Sequence, residues 1–378
     1  MTTPDFQPRL DAAVRAGLDG VVPAVDLVLD EAIRRSASDV HFEPTPAGLD
    51  VRFRIDGVLL SVASLPQKLA ANFVARLKVM ADLLTYRVDV PQEGAVRPDV
   101  TIRGADLRVS TFPTVHGEKA VVRVFDAAAE LLDLEQLGLR PDLLQTLTGL
   151  LQERTGAVFL TGPSGSGKTT TIYACLRRLA RNGGRNIVSI EDPVERWVEG
   201  VSQSQALPGT EFDFARGLRS LLRQDPDVIM VGEIRDRETA AVAVEAALTG
   251  HLVFSTLHAG SACGVIGRLL DMGVEPYLLT SGLKAILNQR LLRQSCDDCH
   301  GAGCDHCGRT GFRGRFLIAE LLRPDAALRR AILAKADTEQ LEAVAAQSDW
   351  RTIRQAADAA VAEGRTTPDE VVRVLGPG

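Results

Sequence analysis

The chain has 378 residues, enough for two or three domains with a sizeable core, and its 45% hydrophobic, 24% charged composition is that of an ordinary globular protein. A net charge of −6 without any Lys/Arg block argues against a nucleic-acid or acidic-lipid surface. The opening MTTPDFQPRL lacks the apolar stretch of a secretory signal, no segment approaches the roughly 18 apolar residues of a membrane helix, and the six cysteines are expected to stay reduced in a cytoplasmic protein.

In chain order, residues 1 to about 36 are predicted helical from the apolar spacing of VVPAVDLVLDEAIRRSAS. The period then drops to two. DVHFEP, LDVRFRIDG and VLLSVASLP alternate as strands, with TPAG and DG as turns. QKLAANFVARLKVMADLL returns to a helix, and AVRPDVTIRGADLRVSTFP and EKAVVRVFD are again strands. This mixed unit is placed at residues 1–126, and residues 127–136, within DAAAELLDLEQLGLRP, read as a hinge. Over 137–378 the order becomes helix, apolar strand, Gly-rich turn, helix, apolar strand, which predicts a mostly parallel sheet covered by helices. A cysteine cluster interrupts it at 296–307, and helices rich in Ala, Leu and Arg close the chain.

TGPSGSGKTTT, from Thr161 to Thr171, is the most informative stretch. Gly162, Gly167, Lys168 and Thr169 fit the phosphate-loop pattern, and Pro163, Ser164, Gly165, Ser166 and Thr170 complete the expected nucleotide-binding set. The strand GAVFLT precedes it and the helix TTTIYACLRRLARNGG follows. The glycines let backbone N–H groups turn toward phosphate oxygens, and the helix N-terminus adds partial positive charge. Lys168 is expected at the β- and γ-phosphates of ATP, and Thr169 at the accompanying Mg2+. An ordinary Gly-rich strand-to-helix turn is the competing reading, and the complete strand–loop–helix context weighs against it.

A phosphate cradle needs acids. Glu233 lies just past the apolar Val228–Val231, and Glu191, Asp192 and Glu195 follow Ile187–Ile190. Ligands of open parallel sheets bind beyond the carboxyl ends of the strands, so both sets are expected on the phosphate side. Either set alone would pass for a solvated loop or a helix cap. His258, ending GHLVFSTLHAG, is placed to contact the γ-phosphate or the attacking water, whereas His251, opening that strand, reads more readily as structural.

Cys296, Cys299, Cys304 and Cys307 form two C-x-x-C pairs separated by four residues, spacing that suits a closed tetrahedral zinc site. The iron–sulfur spacing does not match, and His300 or His306 is an alternative fourth ligand. Cys175 and Cys263 stand alone and read as apolar packing residues.

The cradle, EDPVE, DPDVIMVGEIRD, GHLVFSTLHAG and RLLDMGV, preceded by ASDVHFEP, VRFRIDGVL and RVSTFPTVHGEKAVVRVF, resemble in their order the secretion ATPase family. These are the motors of type II secretion and type IV pilus assembly, and the resemblance runs from about residue 25 to 325. It implies a PAS-like α/β domain joined to a RecA-like P-loop ATPase domain, six-membered rings, and ATP held between domains that rotate on hydrolysis. It also implies arginines of the first domain that swing onto the γ-phosphate. Arg108 in LRVST and Arg123 in VVRVF match them, although alternation alone would make both merely exposed strand residues. Arg219, Arg223 and Arg235 match the family's ATPase-domain arginines. Glu233 matches the acid that holds magnesium through water and positions the nucleophile, with Glu191 its rival as general base.

The tetracysteine motif, followed by Gly311–Arg315, implies assembly motors rather than retraction motors, and its short spacer implies a compact zinc knuckle. The expected function is therefore a hexameric ATPase that drives pilin or pseudopilin assembly. It would work peripherally on the inner face of the cytoplasmic membrane with an inner-membrane platform protein and a membrane docking protein, and without nucleic acid. The short segment before the matching region leaves the docking mode open. The competing functions are a pilus-retraction ATPase, a nucleotide-regulated zinc module that binds nucleic acid, and a scaffold that binds nucleotide without hydrolysing it.

Overall fold

The helical N-terminal stretch folds as two helices, α1 (Phe6–Arg15) and α2 (Val21–Arg34), with a 3₁₀ turn between them. Gly17, at φ +68°, breaks the helix, and Gly20 lets the chain fold back on it. Gly20 packs so tightly against α1 that a Cβ there would lie 1.7 Å from the Ala13 carbonyl oxygen. The computed structural model describes residues 6–125, 131–207, 210 and 212–377, so the first part of the expected hinge, 127–130, lies outside the described residues.

Strands β1 (Asp39–Thr45), β2 (Gly48–Ile55) and β3 (Val58–Pro66), helix α3 (Gln67–Met80), and strands β4 (Gln92–Ala95), β5 (Asp106–Thr114) and β6 (Gly117–Phe125) follow. They form a six-stranded sheet in the order β3-β2-β1-β6-β5-β4, antiparallel at every pairing. The predicted continuous strand over AVRPDVTIRGADLRV is interrupted. Pro98 has no N–H to give a ladder, and the chain turns through a short 3₁₀ segment, Pro98–Val100. Alternation sorts the faces. Val40, Phe42, Val51, Phe53, Val109 and Val122 are buried in the core with α3 residues such as Phe73 and Leu77. Their sequence neighbours Asp39, His41, Arg52, Arg54, Arg108 and Arg123 occupy the opposite face.

The rest of the chain carries α4 (Pro141–Leu150), β7 (Gly156–Thr161), α5 (Lys168–Asn182), β8 (Ile187–Glu191), β9 (Ser202–Gln205), α6 (Phe214–Leu221), β10 (Val228–Val231), α7 (Arg237–Leu248), β11 (Leu252–Leu257), α8 (Ala262–Asp271), α9 (Pro276–Gly282), β12 (Leu283–Ser295) and β13 (Phe312–Leu322). The seven-stranded sheet runs β13-β12-β7-β11-β10-β8-β9, and every pairing from β12 to β9 is parallel. Strands β7, β8, β10 and β11 are buried along their whole length, as strands covered on both faces must be. That is why their sequences are mostly apolar and do not alternate.

Four short helices finish the chain: α10 (Ala326–Leu333), α11 (Thr338–Ala345), α12 (Ile353–Ala362) and α13 (Pro368–Leu375). Each begins at a side chain that accepts the N–H three residues on: Asp325, Asp337, Thr352 and Thr367. Such caps contribute about 1 kcal/mol each, a large share for helices this short. Glu370 anchors α13. Its buried carboxylate accepts from Arg293 Nη2 at 2.7 Å and Arg373 Nη2 at 2.6 Å, and these cations hold its pKa below the usual value against the opposing effect of burial.

Contacts divide the chain into two units, the described residues of 1–130 with 296–314, and those of 131–295 with 315–378. The cysteine segment thus groups with the first unit, where the Gly314 N–H donates to Asp56 Oδ2 at 2.9 Å. Among the described residues, no helix is long and apolar enough to cross a membrane.

Candidate active site

Parallel register brings the site together. Thr161 lies opposite Leu257 and Asn288, Ser255 opposite Val231, and Val231 opposite Ile190. Gly162, Glu233 and His258, just past β7, β10 and β11, and Glu191 and Gln289, still within β8 and β12, therefore lie at one edge, the carboxyl edge where such folds bind ligands. His251 opens β11 at the other end, and its Nδ1 lies 2.9 Å from the Ala246 carbonyl oxygen, a structural place.

The loop from Gly162 to Gly167 is shaped for close approach. Gly162 has φ +141°, and a Cβ there would meet Gln289 O at 2.5 Å and Ser166 Oγ at 2.6 Å. Pro163, Ser164 and Gly165 are exposed at the loop tip, and Ser166 is buried. The Lys168 ammonium curls back on the loop, donating to Gly162 O at 2.8 Å and Pro163 O at 2.9 Å. Burial and the neighbouring Arg290 charge lower its pKa, against the opposing pull of Glu233 and Glu195. A phosphate would relieve both effects. Thr169 donates to Glu195 Oε1 at 3.3 Å, so the hydroxyl expected at magnesium already faces a carboxylate. Thr170 is exposed on the first turn of α5.

The two rival acids differ. Glu191 is buried and saturated. Ser189 donates to its Oε1 at 2.6 Å, Gln203 Nε2 to the same oxygen at 3.0 Å, and the Tyr173 hydroxyl to Oε2. Burial and that carboxylate push the Tyr173 hydroxyl's pKa up, which keeps it a donor. Glu233 has no such cage. It pairs with Arg235 and lies 3.8 Å from His258 Nε2, with its side chain 14% exposed. Of the other ATPase-domain arginines, Arg219 pairs with Glu238 and Arg223 donates to Ser220 Oγ at 3.3 Å.

Two residues at this edge went unassigned in the sequence. Gln289 donates to Ser166 O at 2.9 Å, and Arg290 donates to Asn288 Oδ1 at 2.6 Å and to Gly260 O at 3.1 Å. Gln289 braces the phosphate loop from β12, more than a hundred positions away, Arg290 ties β12 to the loop after β11, and LNQRLL carries no local signal of either.

In the first unit, Arg123 Nε bonds Asp39 Oδ1 at 3.2 Å, and the Arg108 guanidinium lies over the Phe125 ring, 5.1 Å from its centroid. The four cysteine sulfurs lie within 4.8 Å of one another. Cys296–Cys304, Cys299–Cys307 and Cys304–Cys307 are each 3.8 Å apart, close to the separation of about 3.8 Å that a tetrahedral ion with 2.3 Å Zn–S bonds requires. Backbone N–H groups support them: Gly303 donates to Cys299 Sγ at 3.2 Å and Gly311 to Cys307 Sγ at 3.3 Å. Burial raises the Cys307 pKa, but the N–H groups of Cys304 and Gly311 and the neighbouring thiols bring it down to about 6, so a thiolate is at hand. His306 is engaged with Asp298 and Arg313 instead.

The family described as "Type II/IV secretion system protein" matches residues 15–373. The chain belongs to that family. This secretion protein is 43% identical to type II secretion system protein E of Klebsiella pneumoniae, over 98% of its own length and 78% of that relative. It is 42% identical to the type II secretion system ATPase E of Vibrio cholerae, over 94% and 75%. Among solved structures, the pilus retraction motor PilT with bound ADP superposes with a TM-score of 0.62 at 29% identity, covering 92% of this chain and 95% of that one. The ATPase DotB of Legionella pneumophila matches at 0.70 and 22% identity over 93% and 94%, a likeness of fold. The secretion protein is accordingly an ATPase of mixed α/β fold with a RecA-like nucleotide domain.

Proposed function

We propose that this secretion ATPase is a hexameric ring motor whose ATP hydrolysis drives pseudopilin or pilin assembly. It would work on the cytoplasmic face of the inner membrane, against a platform protein and a docking protein there. The observation that carries the catalytic part is the convergence of Lys168, Thr169, Glu233 and His258 at one carboxyl edge. Gly162 through Thr170 cradle the phosphates. Thr169, Glu195 and, through water, Glu233 serve Mg2+, and Glu233 orients the attacking water beside His258. Glu191, held by three donors, acts as a fixed strut of the site rather than as the base. Arg108 and Arg123 are the mobile cations of the first unit, and their arrival gates hydrolysis. The greater identity to type II secretion proteins than to the retraction motor favours assembly over retraction.

Steady-state turnover tests the assignment of the acids. Glu233→Gln is expected to lower kcat by about 10²–10⁴, the range of a general base, with ATP binding retained. Glu191→Gln disturbs its donors and is expected to lower the melting temperature as well as the rate. The reverse pattern would make Glu191 the base.

The cysteine cluster would hold structural zinc through Cys296, Cys299, Cys304 and Cys307, a closed set without a position for substrate. Zinc at such sites contributes about 10–16 kcal/mol, ample to order a loop this small. Full-chain protein is expected to release one zinc per chain to a chromophoric chelator. Replacing Cys296 and Cys299 with serine is expected to abolish that release and to increase proteolysis near residue 300. Metal-free protein of unchanged stability would contradict a structural zinc.

A further inference from the structure

One row of charged side chains crosses four strands on the outer face of the first unit's sheet. Arg54 of β2 stands opposite Asp39 of β1, Asp39 opposite Arg123 of β6, and Arg123 opposite Arg108 of β5. Opposite residues of an antiparallel pair share a face at about 4.5–5.5 Å between Cβ atoms. Three arginines and one aspartate therefore share a single row, with Arg54 and Arg123 flanking the carboxylate. Like charges directly opposite are unfavourable in a sheet, so the placement of Asp39 matters.

Asp39 is 8% exposed, accepts from Arg123 Nε at 3.2 Å and from the Ser38 hydroxyl at 2.9 Å, and lies 3.5 Å from Arg54 Nε. Its two cationic partners are unequal. The Arg123 side chain is 66% exposed. Arg54 is 37% exposed and has a second tie, from Nη1 to Gly57 O at 3.3 Å. Among the described residues, Arg54 is tied at two points, whereas the more exposed Arg123 is tied to the carboxylate.

We propose that Asp39 is a positioning residue that parks Arg123 on the face of its own sheet, and that Arg54 is the standing counterion that permits its release. The inference rests on reading Arg123 as a mobile catalytic cation. A nearly buried carboxylate that loses its sole cation becomes an unpaired charge, which is strongly unfavourable. With Arg54 and Ser38 still in place, Asp39 stays paired when Arg123 leaves. Hydrolysis is then governed by a competition between two anions, Asp39 and the γ-phosphate, for one guanidinium. The row keeps Arg123 at rest until a triphosphate comes within reach.

The competition gives the two neighbours of Arg123 opposite signs, which a merely structural role does not. In steady-state assays of the full chain, Asp39→Asn removes a competitor and raises kcat about two- to fivefold, the range for an ion pair whose cation is largely exposed, with KM for ATP nearly unchanged. Arg54→Gln leaves Asp39 dependent on Arg123 and lowers kcat by a similar factor, and Arg54→Lys restores it. In an Arg123→Ala background the Asp39 and Arg54 substitutions no longer change the rate. Asp39→Asn and Arg54→Gln shifting kcat in the same direction, or not at all, would overturn the parking role. Should Asp39→Asn fail to fold, the Arg54→Gln loss and its Arg54→Lys rescue decide. A slow Arg123→Ala with same-sign neighbours sinks only the parking role, whereas Arg123→Ala turning over ATP at the parental rate sinks the catalytic reading and the parking role with it.

Discussion

Lys168→Ala is expected to abolish detectable ATP turnover, with kcat/KM reduced by at least about 10²–10³, the loss that follows removal of one preorganised donor from a developing negative charge. The structure gives that number a local basis. The ammonium is buried within the loop and held by Gly162 O and Pro163 O, so it shapes the cradle before any nucleotide arrives. Its lowered pKa reflects burial and the Arg290 charge, two penalties on the charged form that phosphate oxygens would offset. Arg290 cannot substitute for it, because its guanidinium is committed to Asn288, Gln289 and Gly260. Lys168→Arg is expected to be nearly as inactive, since the side chain is buried and its single ammonium donates to both Gly162 O and Pro163 O, a geometry that a planar fork does not reproduce. Phosphate release measured beside the melting temperature separates the outcomes. Parental turnover in Lys168→Ala would remove the loop from the chemistry. Lost turnover accompanied by a collapsed melting temperature would show only that the loop's hydrogen bonds hold the fold.

What could be read from the chain alone follows from how local each feature is. The phosphate loop is contiguous: its strand, its glycines and its lysine occupy adjacent positions, so the pattern carries the geometry. The cysteine pairs are legible for the same reason, their sulfurs being brought together by a loop of a dozen residues. Glu191 and Glu233 were indistinguishable in sequence, because each follows an apolar strand. They separate only when Tyr173, Ser189 and Gln203, from α5, β8 and β9, close around Glu191. Gln289 and Arg290 stayed hidden because the sheet order sets β12 beside β7, and no spacing in the sequence records a sheet order. The same holds for the row from Arg54 to Arg108. Alternation tells that each side chain faces outward, whereas register alone tells that they stand side by side. The need for glycine at position 20 was illegible as well, since it arises from close approach to Ala13 across the turn.

Arg123→Ala is expected to lower kcat by about 10³ or more while leaving nucleotide affinity almost unchanged, and Arg108→Ala to do the same. A cation supplied to the transferred phosphoryl group is worth about 10³–10⁵ in rate, and 10³ corresponds to about 4 kcal/mol. The fold gives no comparable reason to keep these residues. The Arg123 side chain is 66% exposed, and a pair so open to solvent contributes at most about 1 kcal/mol to stability. Arg108 rests on the Phe125 ring, a contact worth about 0.5–1 kcal/mol at an exposed site. If the two arginines were only surface residues, rate and melting temperature would both stay close to the parental values. If they act on the γ-phosphate, the rate falls by several kcal/mol equivalents and the melting temperature barely moves, and that disproportion is what the paired measurement reads. Arg123→Lys sharpens it. Lysine keeps the charge and the length but lacks the two-pronged donor geometry that matches phosphate oxygens, so it should recover the charge contribution and not the remainder. Recovery of the full rate by lysine would mean that the field of a single positive charge suffices, and loss equal to that of alanine would mean that the fork itself does the work.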